Sequence, residues 1–349
     1  MNEPSLKVHR PGLFTTVQDA GRVGYSDVGV TPSGVLNRLA LRLANALVGN
    51  DPNEACLEVI GMGPALQVEA DAVRLALVGA TPRASITFSG GQTIAFPANR
   101  SVTLHRGDRL SIDQLDGSAN AILTVAGGFQ IAAVLGSRST YARGGFGGFH
   151  GRALVEGDNL PLAKPTVNGP DQALASDPDK LLYDDGPIRV ILGPQHEAFS
   201  PTTIEDFLAG TYFIGHESDR MGLRLKGPEL DHLGAYEIPS DGIAPGSIQV
   251  PGTKQPIVLL VERGTVGGYA KIATVASVDL PRLGRARHGE TLRFEKVERA
   301  EAEQHRRSQE GRLNTLIAGI TSAPPLGDLS QSLLEGVNLI SGVWGPEPG

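Results

Sequence analysis

The chain of 349 residues is poor in several residue types, and each shortage excludes something. Its one cysteine, Cys56, rules out an internal disulfide framework and fits a reducing compartment. Aromatic residues make up 5% of the chain, and no apolar run is long enough to span a bilayer. No basic run is present and the formal net charge is −7, so nucleic acid is not an expected partner. The start, MNEPSLKVHRPG, lacks the apolar core of a secretory signal, and a cytoplasmic protein is expected. The eight histidines show no metal-ligand spacing, so no metal is expected. No Gly-x-Ser-x-Gly elbow, Cys–His pair, Walker loop or dinucleotide fingerprint is found.

Glycine and proline, at 45 and 24 residues, are plentiful. With short runs of Val, Ile and Thr they predict a mainly β fold of many turns. Two apolar strands are predicted at Ile257–Val261 and Ile272–Ala276, separated by a polar, glycine-broken corner holding Glu262, Arg263, Thr265, Tyr269 and Lys271. The clearest helix is 34–48, with Leu36, Leu39, Ala40, Leu43 and Leu47 on one face. Ser33 is its expected N-cap, Gly49 and Asn50 end it, and Arg38, Arg42 and Asn45 form an expected solvated face. A hairpin is expected where 85–88 and 92–96 flank Ser89-Gly90-Gly91. A glycine–acid turn recurs at Gly107-Asp108, Gly157-Asp158 and Gly289-Glu290 and hints at two similar β units. Residues 161–187 form the best linker candidate, and Ser200 with Pro201 starts a short helix reaching Leu208. Residues 136–152, GSRSTYARGGFGGFHGR, combine free amides, hydroxyls and arginines in a loop suited to anions.

Several segments share their spacing with one known family. They are Thr15-Thr16-Val17-Gln18-Asp19 with Gly21-Arg22; Pro32-Ser33-Gly34 followed by 37–50; Gly136–Tyr141; Gly193-Pro194-Gln195; Ser218-Asp219-Arg220-Met221-Gly222; and above all Ser240-Asp241-Gly242, Ile248-Gln249-Val250-Pro251, Gln255-Pro256-Ile257 and Gly267–Val275. On these, residues 6–296 resemble the carboxyltransferase-type family that includes the C subunit of bacterial ATP-dependent 5-oxoprolinase, the KipI antagonist KipA and the carboxyltransferase part of urea carboxylase. Asn37 stands where the family has aspartate, and Gly264 where it has glutamine.

The resemblance implies two cyclophilin-like β-barrel domains with a few helices: a first half over 1–165 including helix 34–48, a second over 187–296, and a C-terminal helical tail over 297–349. The last ~25 residues, with apolar Leu333–Val343 and Trp344, lie outside the family pattern and stay open between docking and disorder. The implied function is that of one component of an ATP-dependent hydrolase opening the lactam 5-oxo-L-proline to L-glutamate. It would work in a hetero-oligomer with a KipI-like homologue of the B subunit and possibly the A subunit. The alternatives are biotin-dependent carboxyl transfer to urea or a related amide, and a non-catalytic KipA-like regulator that binds a kinase inhibitor. ATP is implied as a cofactor together with the partner subunits. None of Met1, Met62 and Met221 flanks a lysine, so any biotin is carried by another chain. The implied catalytic residues are Asp241, Arg263 and Lys271. Arg138, Ser139 and Thr140 are expected to hold an anionic group, with Asp19, Arg22, Ser218, Asp219, Arg220, Gln249 and Tyr269 completing the substrate site.

Overall fold

The computed structural model describes residues 3–79, 81–97, 99–164, 167–324 and 326. The fold is mainly β. In the first half, a six-stranded and a five-stranded antiparallel sheet enclose one core that includes Leu6, Leu57, Leu75, Ile86, Leu104 and Leu123. Strand Cys56–Ile60 lies in the five-stranded sheet, between Phe14–Gln18 and Asn120–Val125. The expected hairpin is present, with Ser85 opposite Ala95 and Thr87 opposite Thr93. The second half is built on an eight-stranded sheet around Val190, Phe207, Tyr212, Ile248, Val258 and Ile272. Strand Lys271–Val275 lies there between Ser247–Gln249 and Ile188–Leu192.

The recurrent glycine–acid turn is one device used three times. Gly107, Gly157 and Gly289 all have φ between 82° and 91°, a left-handed conformation that favours glycine. Each following acid accepts a backbone N–H from three residues before it: His105 to Asp108 at 2.8 Å, Val155 to Asp158 at 2.9 Å and Arg287 to Glu290 at 3.0 Å. The turn is therefore closed by its own side chain before the next strand begins.

The first helix runs Arg38–Val48, and its cap differs from the expectation. Asn37, not Ser33, caps it, accepting the amide of Ala40 at 3.1 Å. Ser33 has φ 53° and is buried in the turn before the helix, and Leu36 lies outside the helix against the second core. Of the face expected to be solvated, Arg38 is exposed, but Arg42 and Asn45 are engaged. Arg42 makes a bidentate pair with Glu310 at 2.7 and 2.8 Å, and buried Asn45 donates to the carbonyl of Glu54. Glu310 belongs to helix Arg299–Ala318, whose Leu313 and Leu316 pack with Leu43 and Leu47. A polar face on a single helix does not reveal that another element lies over it. The helix Pro201–Ala209 begins at an N-capping Ser200 as expected.

The linker candidate is partly structured. Gln172–Ala173 pairs with Thr321–Ser322, and Pro178–Leu182 is a short helix. Residues Leu333–Val343 and Trp344 lie outside the described residues. Among the described residues, no helix is long and apolar enough to cross a membrane.

The halves are joined by polar contacts, several of them at Glu58 in strand Cys56–Ile60. Glu58 accepts the amide of Leu36 at 2.6 Å and a guanidinium N–H of Arg220. Arg220 also donates to Glu262 at 2.7 Å and to the carbonyl of Gly34 at 2.7 Å. Thr31 donates to the carbonyl of Val261 at 3.0 Å, and Asn120 to that of Gly284 at 2.9 Å.

Candidate active site

The sequence-predicted residues fall into three groups. The first is centred on Lys271 at the start of its strand. Strand Ser247–Gln249 places Gln249 opposite it across a register shift, and Lys271 is 2% exposed. Its ammonium donates to Oδ2 of Asp241 at 2.7 Å. Asp241 comes from a separate two-stranded ribbon in which Glu237–Gly242 pairs with Val266–Tyr269, Asp241 opposite Gly267. The glycine-broken corner is thus shorter than expected, because Gly267 and Gly268 are strand residues. At Gly267 a Cβ would press on the tips of the Gln249 and Ile243 side chains, so the glycine lets the ribbon lie close to both.

A residue that the sequence reasoning quoted but did not select completes this group. Gln195 donates to the same Oδ2 of Asp241 at 3.2 Å and accepts the backbone N–H of Lys271 at 3.3 Å. It reaches there because Gly193 lies so close to the carbonyl of Lys271 that a Cβ would collide with it. The signal available was Gly-Pro-Gln directly after the strand Ile188–Leu192. The hydrogen bond from Lys271 first, then those from Gln195 and the Gly242 amide, hold the half-exposed Asp241 carboxyl below its usual range. The result is a carboxylate kept ionised at the surface, backed by a buried ammonium.

Arg263 connects to this group through the backbone. Its Nε donates to the carbonyl of Ile243, two residues beyond Asp241, at 2.9 Å, and its Nη1 to that of Leu260 at 3.2 Å. Gln249 and Tyr269 are nearby, the Gln249 amide reaching the Tyr269 carbonyl at 3.5 Å, while the Tyr269 ring lies 6.2 Å from that of Tyr236.

The second group is a sealed knot around Asp19. Oδ1 accepts from Gly21 N at 2.7 Å, Ser137 Oγ at 2.6 Å and Ser139 Oγ at 2.5 Å, and Oδ2 from Arg138 N at 2.6 Å. Thr140 donates to the carbonyl of Val17 at 2.9 Å. The hydroxyls of Ser139 and Thr140 are therefore engaged inside the protein instead of being aimed at a ligand. The Arg138 guanidinium turns to the carbonyl of Ile131 at 2.8 Å and to Glu54 at 3.4 Å. Among the described residues no hydrogen bond links Arg138 to Lys271. Arg22 is buried under the glycine-rich loop, with Nη2 donating to the Ser139 carbonyl at 2.5 Å and the Phe146 ring 5.0 Å from its guanidinium carbon.

The third group, Ser218, Asp219 and Arg220, divides in two. Adjacent Asp219 and Arg220 do not pair with each other. Asp219 pairs with Arg143 of the glycine-rich loop at 2.7 Å, both side chains half-exposed, while Arg220 is taken up by Glu58 and Glu262. Ser218 Oγ accepts the amide of Arg224 at 2.9 Å.

Some glycines of the loop permit close internal packing: a Cβ at Gly147 would strike the Ser139 carbonyl, and one at Gly148 the Thr140 hydroxyl. Among the described residues, no group of His, Cys, Asp or Glu is arranged to hold a metal.

A family model described as carboxyltransferase domain, subdomain A and B, matches residues 28–296. The chain is 34% identical over 305 residues to the C subunit of 5-oxoprolinase from Escherichia coli (strain K12), covering 87% of this chain and 95% of that one. It is 30% identical to the urea amidolyase of Lachancea kluyveri, covering 90% of this chain and 18% of that protein. The crystal structure of K. lactis urea amidolyase superposes with a TM-score of 0.80 at 30% identity, over 90% of this chain and 20% of that one.

Proposed function

The chain belongs to the family of carboxyltransferase domains with subdomains A and B, and on that premise we propose that it is the C subunit of a 5-oxoprolinase, which opens 5-oxo-L-proline to L-glutamate with hydrolysis of ATP. The observation that carries this reading is similarity along nearly the full length of a 5-oxoprolinase C subunit, 95% of that protein. Its partner is then a KipI-like homologue of the B subunit, and its compartment is the cytoplasm.

The pair Lys271–Asp241 suits lactam opening. A lactam carbonyl resists water until negative charge developing on its oxygen is stabilised, and a buried ammonium supplies that field. Asp241 is held ionised beside that ammonium, and Gln195 keeps its carboxylate in place. Nucleotide chemistry is assigned to the assembled complex.

A second reading has a specific observation behind it. The superposition on urea amidolyase, TM-score 0.80, favours carboxyl transfer to urea or a related amide, with biotin borne by another chain. Reconstitution with the neighbouring gene products decides between them. Release of glutamate from 5-oxo-L-proline that needs this chain and ATP supports the first reading, and biotin-dependent carboxylation of urea without glutamate release overturns it.

A further inference from the structure

A groove with a volume of about 520 Å³ runs along helix Arg299–Ala318, between it and the segment around the short helix Pro178–Leu182. Ala175 and Leu181, the latter 41% exposed, line one wall, and Gly311, Leu316 and Gly319 the other. Gly311 stands in the interior of the helix, where only proline is less favourable than glycine. A Cβ there would meet nothing within 4 Å, so packing among the described residues does not call for the glycine. Its effect is to keep this wall of the groove open.

The sequence supplies an apolar segment to match. Residues 333–344 read LLEGVNLISGVW, rich in Leu, Ile, Val and Trp, with Glu335 as the single charge. They lie outside the described residues. Apolar side chains left in water forgo the free energy of burial, so a run of them calls for a surface to cover.

Two relations tie the segment to the groove. The first is the path of the chain. Gly319 lines the groove, Thr321–Ser322 pairs with Gln172–Ala173 just before Ala175, and Leu326 packs against the first core. From Leu326 to Leu333 the chain can extend about 25 Å, more than the roughly 17 Å of helix between Ser308 and Gly319 that the groove follows. The second is charge. Arg312 lines the groove and donates to Ser308 at 3.0 Å, but its carboxylate, Asp184, is 3.9 Å away and its Nε has no acceptor among the described residues. Glu335 is the complement that the segment carries.

We propose that residues 333–344 of the same chain fill this groove and close the outer side of helix Arg299–Ala318, whose inner side packs on helix Arg38–Val48. The apolar residues of the segment cover Leu181 and Leu316, and Glu335 answers the charge of Arg312. A short tether holds the segment at an effective concentration on the order of millimolar, which favours the groove of its own chain over that of a second copy. The contact is independent of the enzymatic reading.

Trp344 is the single tryptophan of the chain, so its fluorescence reports on this segment alone. In the full chain its emission is expected to be blue-shifted, and its quenching by acrylamide several-fold weaker than in urea, at every protein concentration. Gly311→Leu puts a side chain into the groove where a Cβ displaces nothing and helix propensity improves, so Tm holds or rises. This variant is expected to shift the emission to the red and to raise quenching to the value of the unfolded chain. Ile340→Asp, a change in the segment itself, does the same, and the double variant goes no further. Wild-type emission and quenching equal to those of the unfolded chain overturn the docking. Protection that survives Gly311→Leu places the segment elsewhere and overturns the groove. Protection lost on dilution, together with a dimer in sedimentation, assigns the groove to a second copy. Protection gained only on adding the partner subunit assigns the segment to that partner. Either of these last two results overturns the intramolecular contact.

Discussion

The ammonium of Lys271 lies 2.7 Å from Oδ2 of Asp241, joining a buried strand of the second half to a two-stranded ribbon that stands apart from its main sheet. Asp241 is half-exposed and Lys271 is not, so the carboxylate presents itself to solvent while its counter-charge stays fixed behind it.

That arrangement sets a titration. Lys271, Gln195 and the Gly242 amide depress the folded-state pKa of Asp241 below 3.8, its ordinary value. A depressed carboxyl contributes stability above the unfolded-state pKa and loses it as pH falls through the folded-state pKa, so the loss is confined to pH below about 4. Carbon-detected NMR of Asp241 checks this. Lys271→Met is expected to move the midpoint back toward the ordinary value, and an unchanged midpoint contradicts the assignment.

The joint between the halves depends on Arg220. Arg220→Met leaves Glu58 and Glu262 buried with their shared cation gone, and a loss of about 3–5 kcal/mol is expected in urea denaturation. Simultaneous Glu58→Gln and Glu262→Gln in that background is expected to recover part of it. No recovery would place the cost elsewhere than in unpaired charge.

The knot at Asp19 is a folding element of the first half. Asp19→Asn turns one of four acceptor contacts into a donor facing a donor, most disruptively at Arg138 N. A loss of about 1.5–3 kcal/mol is expected, with faster amide exchange at Gly21 and Arg138. Stability within about 0.5 kcal/mol of wild type would show the knot to be slack.

Gly148→Ala tests the packing of the glycine-rich loop. The residue has φ 54°, and the new Cβ would strike the Thr140 hydroxyl. A cost of about 1–3 kcal/mol is expected from denaturation, and a neutral result would show an open loop.

Much of this was legible in the sequence, for physical reasons that differ by element. The strands and the hairpin followed from β-branched runs between glycines, and the three glycine–acid turns could be read because each is closed by its own side chain. Family spacing brought Asp241, Arg263 and Lys271 together as candidates, and the structure places them around one ribbon. What was not legible depended on long-range partners. Arg42 and Asn45 read as solvated because nothing local announces that Glu310 of the helix Arg299–Ala318 takes the first and the Glu54 carbonyl the second. Asp219 and Arg220 read as neighbours in charge, yet their partners are Arg143, and Glu58 with Glu262. Ser139 and Thr140 read as anion ligands because hydroxyls beside glycines suit that purpose, but Asp19, 120 positions from Ser139, and the Val17 carbonyl take them first. Gln195 escaped selection because only the fold carries it to both Asp241 and Lys271.

The most direct measurement is turnover of 5-oxo-L-proline by the assembled complex with Lys271→Met, set beside Lys254→Met, which breaks an exposed pair with Asp231 elsewhere on the second half. With the complex intact, Lys271→Met is expected to lower the rate of glutamate release about a hundredfold or more, the scale of one lost electrostatic group at a reacting centre, and Lys254→Met to leave it unchanged. A Lys271→Met complex that releases glutamate at the wild-type rate would contradict the account.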